Sequence, residues 1–416
     1  MKSYTGPFVV MVFLFLVIGF LTTANTQFQA PLQQVYLSQM GSLRNTSAAL
    51  ITFSWFLAYP LCGGIGARLI DRSGYKTALL AGLAIMCTGL LVFWASAAYT
   101  AAHPDALIDI ADGRMHIGFI IFLLGSFTVG ASATILQVVI NPYLTACHVP
   151  GTQSVQRMAI GGSANAVGTT LAPYFVTGIV FGGMQMADVT VDRLMTPFAL
   201  LALVIALTFV VLRFVSLPDI AGFRASEGTV LERSVWSFRH LRLGVAAIFC
   251  YVGVEVAVGS NINMYALECG YSTPALMATL YWGGILCGRL VGSSLSGVSP
   301  RTQLTATTAL ATVLAVLAVA TGNPWLLVGI GLAHSIMWGA IFTLSVAHLG
   351  RYTSVASGVF MIGVMGGAIF PLVQGALADA VGSWRWSWLI VIVGELFMLW
   401  YARRGSIVRP TDMVQD

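Results

Sequence analysis

Charge is scarce in this 416-residue chain: Asp, Glu, Lys and Arg make up 8% of it, against roughly 25% in a soluble domain. Fifteen acids and twenty bases cannot coat a protein of this size, and 57% of the residues are apolar. Many apolar faces must therefore meet lipid, and a soluble fold is excluded. The six cysteines (Cys62, Cys87, Cys147, Cys250, Cys269 and Cys287) lack any CxxC spacing and lie in or beside apolar stretches. Neither a metal site nor a disulfide framework is expected. No P-loop pattern is present. The glycine pairs Gly161-Gly162 and Gly283-Gly284 sit inside apolar runs, where they are expected to allow close helix approach and not to cradle phosphate. No cofactor is expected. The net charge of +5 does not argue for a nucleic-acid partner, because the bases fall in short loops. A small-residue cleavage site is also lacking after the first apolar run, so that run is expected to be a retained span and not a signal peptide.

What the chain has is a series of long apolar segments. A helix needs about 20 mostly apolar residues to cross the hydrocarbon. Twelve such segments are expected, over residues 8–32, 47–70, 75–99, 116–145, 156–182, 195–215, 243–267, 273–295, 302–321, 324–348, 354–378 and 386–403. With the N-terminus in the cytoplasm, sixteen of the twenty bases fall on the inner side and only Arg44, Arg114, Arg193 and Arg385 outside, together with Asp105, Asp109 and Asp112. This asymmetry places both termini in the cytoplasm. The longest polar interval divides the chain six plus six. The expected organisation is a bundle over 1–216, a cytoplasmic linker over 217–242 and a second bundle over 243–416.

The halves also share detail. Gly168 to Pro173 reads G-x-x-x-x-P, followed by Gly178, and Gly366 to Pro371 repeats it, followed by Gly375. Upstream, His148 with Ser154-Val155 recurs as His348 with Ser354-Val355. Two copies of a six-helix unit form the parallel-repeat plan of alternating-access transporters, which hold substrate near the midplane between halves.

Ala67-Arg68-Leu69-Ile70-Asp71-Arg72-Ser73-Gly74-Tyr75-Lys76 follows the second span. It resembles the G-x-L-x-D-R-x-G-R-K loop of the major facilitator superfamily, with alanine and tyrosine at two of the signature positions. The resemblance implies a cytoplasmic gate at Asp71, Arg72 and Lys76, where an acid at a helix end pairs with bases and a neighbouring helix terminus. Ile140-Asn141-Pro142-Tyr143-Leu144, Arg157 and Asn165 to Pro173 resemble the A-N-P-Y and N-S-L-G-T-x-x-A-P stretches of the fucose/glucose/galactose permease branch. So do Tyr251-Val252-Gly253-Val254-Glu255-Val256, Ser335-Ile336-Met337 with Ile341-Phe342, and Gly366 to Pro371, in the second half. The resemblance covers nearly the whole chain. It implies an all-α polytopic membrane protein with twelve transmembrane helices in two pseudo-symmetric six-helix bundles, acting as a sugar transporter of the cation-symport type. A monomer in a bacterial inner membrane is expected.

Polar side chains are costly in a bilayer, so a polar stripe should face the bundle interior or an aqueous cavity. Thr22, Asn25, Thr26, Gln29 and Gln33 follow at spacings of three and four, and Gln137 and Asn141 lie four apart. Amides both donate and accept, which suits sugar hydroxyls, although gluing helices together would also explain them. The resemblance expects acids where Gln29 and Gln137 stand, and a sugar-facing glutamine where Gly162 stands. The missing side chain at Gly162 would admit a bulkier substrate such as an N-acetylhexosamine.

Asn25, Gln29, Gln137, Asn141, Asn165, Asn263 and His334 are the expected ligand contacts. Trp282 and Trp338 are expected to offer an aromatic face to a sugar ring. Glu255, mid-span with Gly259 and Asn263 on its face, is the expected proton site, and Glu395 ranks below it. Without the two family acids, an uncoupled facilitator or a sodium symporter also fits. His103, Asp105, Asp109, Asp112 and His116 cluster near one loop, but no catalytic spacing joins them, so an enzyme is not expected.

Overall fold

A computed structural model of the chain describes residues 5–147, 149–152, 154–180, 190–217, 232–292 and 298–414. The repeat residue His148 and most of the expected linker lie outside the described residues. The chain separates into two compact units, residues 1–227 and 228–416.

The first unit contains α1 (Thr5–Gln27), α2 (Gln29–Tyr36), α3 (Arg44–Ala102), α4 (Ile117–Ala146), α5 (Ser154–Tyr174) and α6 (Asp192–Phe214). The first expected span is α1 and α2 together, interrupted at Phe28. The second and third spans run on within α3 as Arg44–Ile70 and Arg72–Ala102, without an intervening loop. The reversal is made at Gly74, where φ is 78°. Only a residue without Cβ adopts that value at no cost, which accounts for a glycine in the loop signature. The fifth span continues from α5 into a wide helical turn over Phe175–Val180.

One segment departs from the all-helical expectation. Leu107–Ile110 (β1) and Gly113–His116 (β2) form an antiparallel hairpin, with Asp109 opposite Arg114. The helix that follows starts after His116, whose Nδ1 accepts the Gly118 N–H at 2.9 Å, an N-cap that removes an unpaired donor from the first turn. Its Nε2 lies 2.8 Å from the His103 carbonyl. His103 and His116 thus close a loop.

The second unit contains α7 (Arg239–Glu268), α8 (Pro274–Gly292), α9 (Pro300–Thr321), α10 (Trp325–His334), α11 (Met337–Ser345), α12 (Thr353–Phe360), α13 (Gly366–Val381), α14 (Trp384–Ser387) and α15 (Leu389–Trp400). The tenth expected span is broken: α10 and α11 meet at 41°. Ten helices among the described residues are long and apolar enough to cross a membrane, or eleven with the broken pair counted as one.

Helix α6 shows what those faces meet. Leu200, Leu203, Leu207, Val210, Val211 and Phe214 are all at least half exposed and recur at three- and four-residue spacing, while Phe198, Ala202 and Ile205 are buried. An exposed stripe of this size is a lipid-facing surface. Leu389, Val393, Leu396 and Trp400 form a similar stripe on α15, which leaves Glu395 on the opposite, fully buried face.

The paired motif has a shared structural purpose. A Cβ on Gly168 would overlap the main chain of α1 at the Leu16 carbonyl and come within 2.8 Å of the Phe20 nitrogen. One on Gly366 would overlap α7 at the Phe249 carbonyl and come within 3.1 Å of the Gly253 nitrogen. In each unit the first helix therefore touches the fifth backbone to backbone, at the same position of the repeat.

Candidate functional site

In the first unit, the polar stripe of α1 and α2 works largely as helix glue. Asn25 Nδ2 donates to the Ile51 carbonyl of α3 at 3.3 Å, and Gln33 Nε2 donates to Asn45 Oδ1 at 2.8 Å. Thr22 and Thr26 bond back to their own helix. Asn25 and Gln29 are 2% and 1% exposed, so the stripe packs into this unit.

The amides of α4 and α5 are more accessible. Gln137 and Asn141 are half-buried on one face of α4. Gln137 Nε2 donates to Tyr59 Oη of α3 at 2.7 Å, which fixes the amide plane and leaves its carbonyl oxygen and second N–H for other partners. Asn165, also half-buried, donates from Nδ2 to the Phe15 carbonyl of α1 at 3.0 Å. Nothing lies within 4 Å of where a Cβ on Gly162 would stand, so the space beside α5 that the sequence suggests is open. Tyr59 is a site neighbour without a sequence signal, since a lone tyrosine in an apolar run carries no pattern.

Arg157 is 7% exposed and bonds the Leu144 carbonyl through Nε at 2.9 Å, and the Thr152 carbonyl and Oγ1 through Nη1 at 3.0 and 3.2 Å. It satisfies a carbonyl in the last turn of α4, as a cation at a helix C-terminus does, and ties the following loop to it through Thr152. Of the expected gate residues, Arg72 is exposed and Lys76 Nζ donates to the Arg213 carbonyl at the end of α6 at 2.9 Å. The Asp71 side chain lies outside the described residues.

The second unit departs most from expectation. His334 is fully buried, with Nδ1 2.7 Å from Tyr281 Oη and Nε2 2.7 Å from Glu395 Oε1, and the Glu395 side chain is also 0% exposed. Both ring nitrogens are occupied, which moves His334 from a ligand contact to the centre of a polar core. The break at Ser335 and Ile336 separates it from Trp338 along the chain, yet both rings pack against Tyr251. Trp338 is half-buried and packs edge-on against Tyr251 and Phe360. Trp282 is 8% exposed, and its indole fills the notch left by Gly259 on α7. Asn263 is 2% exposed.

Glu255 accepts a 2.6 Å hydrogen bond from Tyr251 Oη, and its Oε1 lies 4.0 Å from Arg289 Nη2. The Glu255 and Arg289 side chains are 13% and 32% exposed. Glu255 is thus a mid-span carboxylate with a cation, a hydroxyl and partial exposure. Deeper in the unit, Asn261 Nδ2 donates to Gln374 Oε1 at 2.8 Å and ties α7 to α13. Arg289, Tyr251 and Tyr281 escape a reading of the sequence because their partners lie on other helices. Arg289 reads as an inner-loop base, and tyrosines in spans ordinarily pack.

The sequence profile described as Major Facilitator Superfamily matches residues 6–370. The glucose/galactose transporter of Brucella abortus biovar 1 (strain 9-941) is 31% identical over 416 residues, covering 97% of this chain and 95% of that protein. The L-fucose-proton symporter of Escherichia coli K12 is 26% identical, covering 92% of this chain and 89% of its own length. Among solved structures, the inward-open xylose transporter XylE of E. coli matches with a TM-score of 0.72 at 13% identity, over 98% of this chain and 97% of XylE. The transporter FucP in its outward conformation matches with a TM-score of 0.66 at 21% identity, over 97% of this chain and 99% of FucP. These structural matches bear on the fold.

Proposed function

The chain belongs to the major facilitator superfamily, and on that footing we propose that it imports a neutral sugar, a hexose or an N-acetylhexosamine, together with a proton by rocker-switch alternating access. It is an integral membrane protein and a transporter, not an enzyme. The observation that carries the substrate class is near-full-length similarity to a protein named a glucose/galactose transporter, joined to accessible neutral amides on α4 and α5.

Gln137, Asn141 and Asn165 are the proposed hydrogen-bonding contacts, and Trp338 the proposed apolar one. Asn25, Gln29 and Asn263 are buried, and their proposed part is to hold the helices that carry the contacts. Glu255 is the proposed proton acceptor. Its neighbours are the Tyr251 hydroxyl at 2.6 Å and the Arg289 guanidinium at 4.0 Å. Lys76 and Arg72 belong to the proposed cytoplasmic gate. The proposed setting is a monomer in a bacterial inner membrane with both termini cytoplasmic, in line with the distribution of bases.

The test is sugar-evoked alkalinisation of the medium by cells or proteoliposomes, run beside competition for uptake by hexoses, deoxyhexoses and N-acetylhexosamines. Proton symport requires alkalinisation that scales with sugar uptake. Amides at Gln29 and Gln137, where proton-accepting acids are expected, favour a second reading as a sodium symporter or uncoupled facilitator. Uptake that follows a sodium gradient, or neither gradient, would establish that reading and remove the proton role of Glu255.

A further inference from the structure

Helix α10 ends at His334, and the carbonyl of that residue accepts the Tyr251 hydroxyl of α7 at 3.0 Å. A helix broken inside a membrane leaves carbonyls that need a donor from elsewhere. That hydroxyl also lies 2.6 Å from Glu255 Oε1. A second tyrosine spans the same gap in the opposite sense: Tyr281 Oη lies 2.7 Å from His334 Nδ1 and 3.0 Å from the main-chain carbonyl of Glu255. On the far side of the imidazole stands Glu395. Among the described residues, Cys250 on α7 also lies near Glu395, and Arg289 on α8 faces Glu255.

Each hydroxyl has one proton to give, and each ties the side chain of one residue, Glu255 or His334, to the main chain of the other. When Glu255 is ionised, Tyr251 donates to it and the His334 carbonyl loses its donor. When Glu255 is protonated, it can donate to Tyr251, and Tyr251 is free to donate to His334. Charge balance constrains the other end. A neutral imidazole beside a carboxylate would bury a net negative charge, whereas one further proton on the pair makes it neutral overall, either as imidazolium with carboxylate or as imidazole with carboxylic acid. With both side chains 0% exposed, a net negative charge there is costly to bury.

We propose that the His334–Glu395 pair is a second proton-binding site, coupled to Glu255 through Tyr251 and Tyr281 and emptied only when water reaches the break between α10 and α11. A cavity of about 310 Å³, lined by Arg289, Ser335, Ile336 and Thr343, already adjoins that break. On release one N–H or O–H bond of the pair is exchanged for one in hydronium, and His334 Nε2–H remains as donor to the Glu395 carboxylate. Proton loss is thereby tied to the shape of the broken span. The inference rests on the proton-coupled reading above.

The test uses the full chain in proteoliposomes with the Glu395→Gln variant. A glutamine can still accept from His334 Nε2 but needs no extra proton for neutrality. With two protons per sugar, an inward gradient of about one pH unit drives about a hundredfold accumulation. In the variant, accumulation falls to about tenfold and the alkalinisation evoked per sugar is halved, while sugar exchange between the two sides persists. Accumulation and alkalinisation matching the native protein would overturn the proposal. A native protein that moves sugar without protons would overturn the parent reading and this one together, and is distinguished by its appearance without any substitution. Should the variant fail to insert, sugar-induced infrared differences in the carboxyl region of the Glu255→Gln variant supply the second measurement. A remaining carboxyl band supports Glu395 as a proton carrier, and its absence overturns the proposal.

Discussion

Asn165 Nδ2 donates to the Phe15 main-chain carbonyl across the α1–α5 contact at 3.0 Å, one turn from the open space at Gly162. One side chain thus fixes the helix that lines the proposed pocket and leaves its own oxygen to accept. Replacing Asn165 by Ala removes a hydrogen bond of about 1 kcal/mol and a ligand contact together. Every sugar in the competition panel should lose affinity. Gly162→Gln should act differently, filling the space and selectively excluding N-acetylhexosamines. Variants that leave the order and strength of all competitors as in the native protein would remove this face of α5 from the pocket.

The Gln137 amide is oriented by Tyr59, and the two can be separated experimentally. Tyr59→Phe retains the ring and loses only the hydroxyl that accepts from Gln137, so sugar KM in counterflow should rise by a few-fold, corresponding to about 0.5–1.5 kcal/mol. Gln137→Ala should raise it further. The double variant should resemble Gln137→Ala alone, since the tyrosine would act through the amide. Additive losses would show that Tyr59 meets the sugar by itself.

Sequence patterning reveals the spans well because the hydrocarbon imposes length and apolarity on every crossing segment, as in α6 and α9. It also reveals the repeat, since Gly168 and Gly366 must be small for the same contact. It locates Glu255 because a carboxylate in an apolar run stands out. What it does not reveal is partnership across helices. His334 reads as a candidate ligand until Tyr281 and Glu395, 53 and 61 residues away, are seen on its two nitrogens. The break after His334 is hidden as well, because no proline or glycine marks Ser335-Ile336. The hairpin at 107–116 reads as loop because the interval is short and rich in Asp.

The two glycine contacts make a stability prediction. Gly168→Ala and Gly366→Ala each force a methyl group against a neighbouring backbone, a strain of about 1–3 kcal/mol. Thermal unfolding in detergent should move downward for both variants, whereas Gly162→Ala, with nothing in its way, should leave the transition in place. Equal behaviour of all three would contradict the backbone contact.

A pH dependence is expected at the hairpin. The backbone N–H and hydroxyl of Ser42 donate to the Asp112 carboxylate and hold its pKa below the usual carboxylate value. A depressed folded-state value means the tie contributes fully above the ordinary pKa of about 3.9 and is lost as pH falls through the lowered value. Limited proteolysis of the hairpin should therefore be faster in Asp112→Ala than in the native chain at neutral pH. Below the lowered pKa the two should converge. A difference that persists unchanged under acid would rule out the ionised carboxylate as the tie.

Gly74, with its positive φ, turns the chain four residues after Arg44–Ile70 ends, and Lys76 then takes hold of the Arg213 carbonyl. Such a joint has almost no slack. A push on the second span would be handed directly to the third and, through the lysine, to the tail of α6, so these three members are expected to move together. Lengthening the joint by a few flexible residues would let one arm swing without dragging the others.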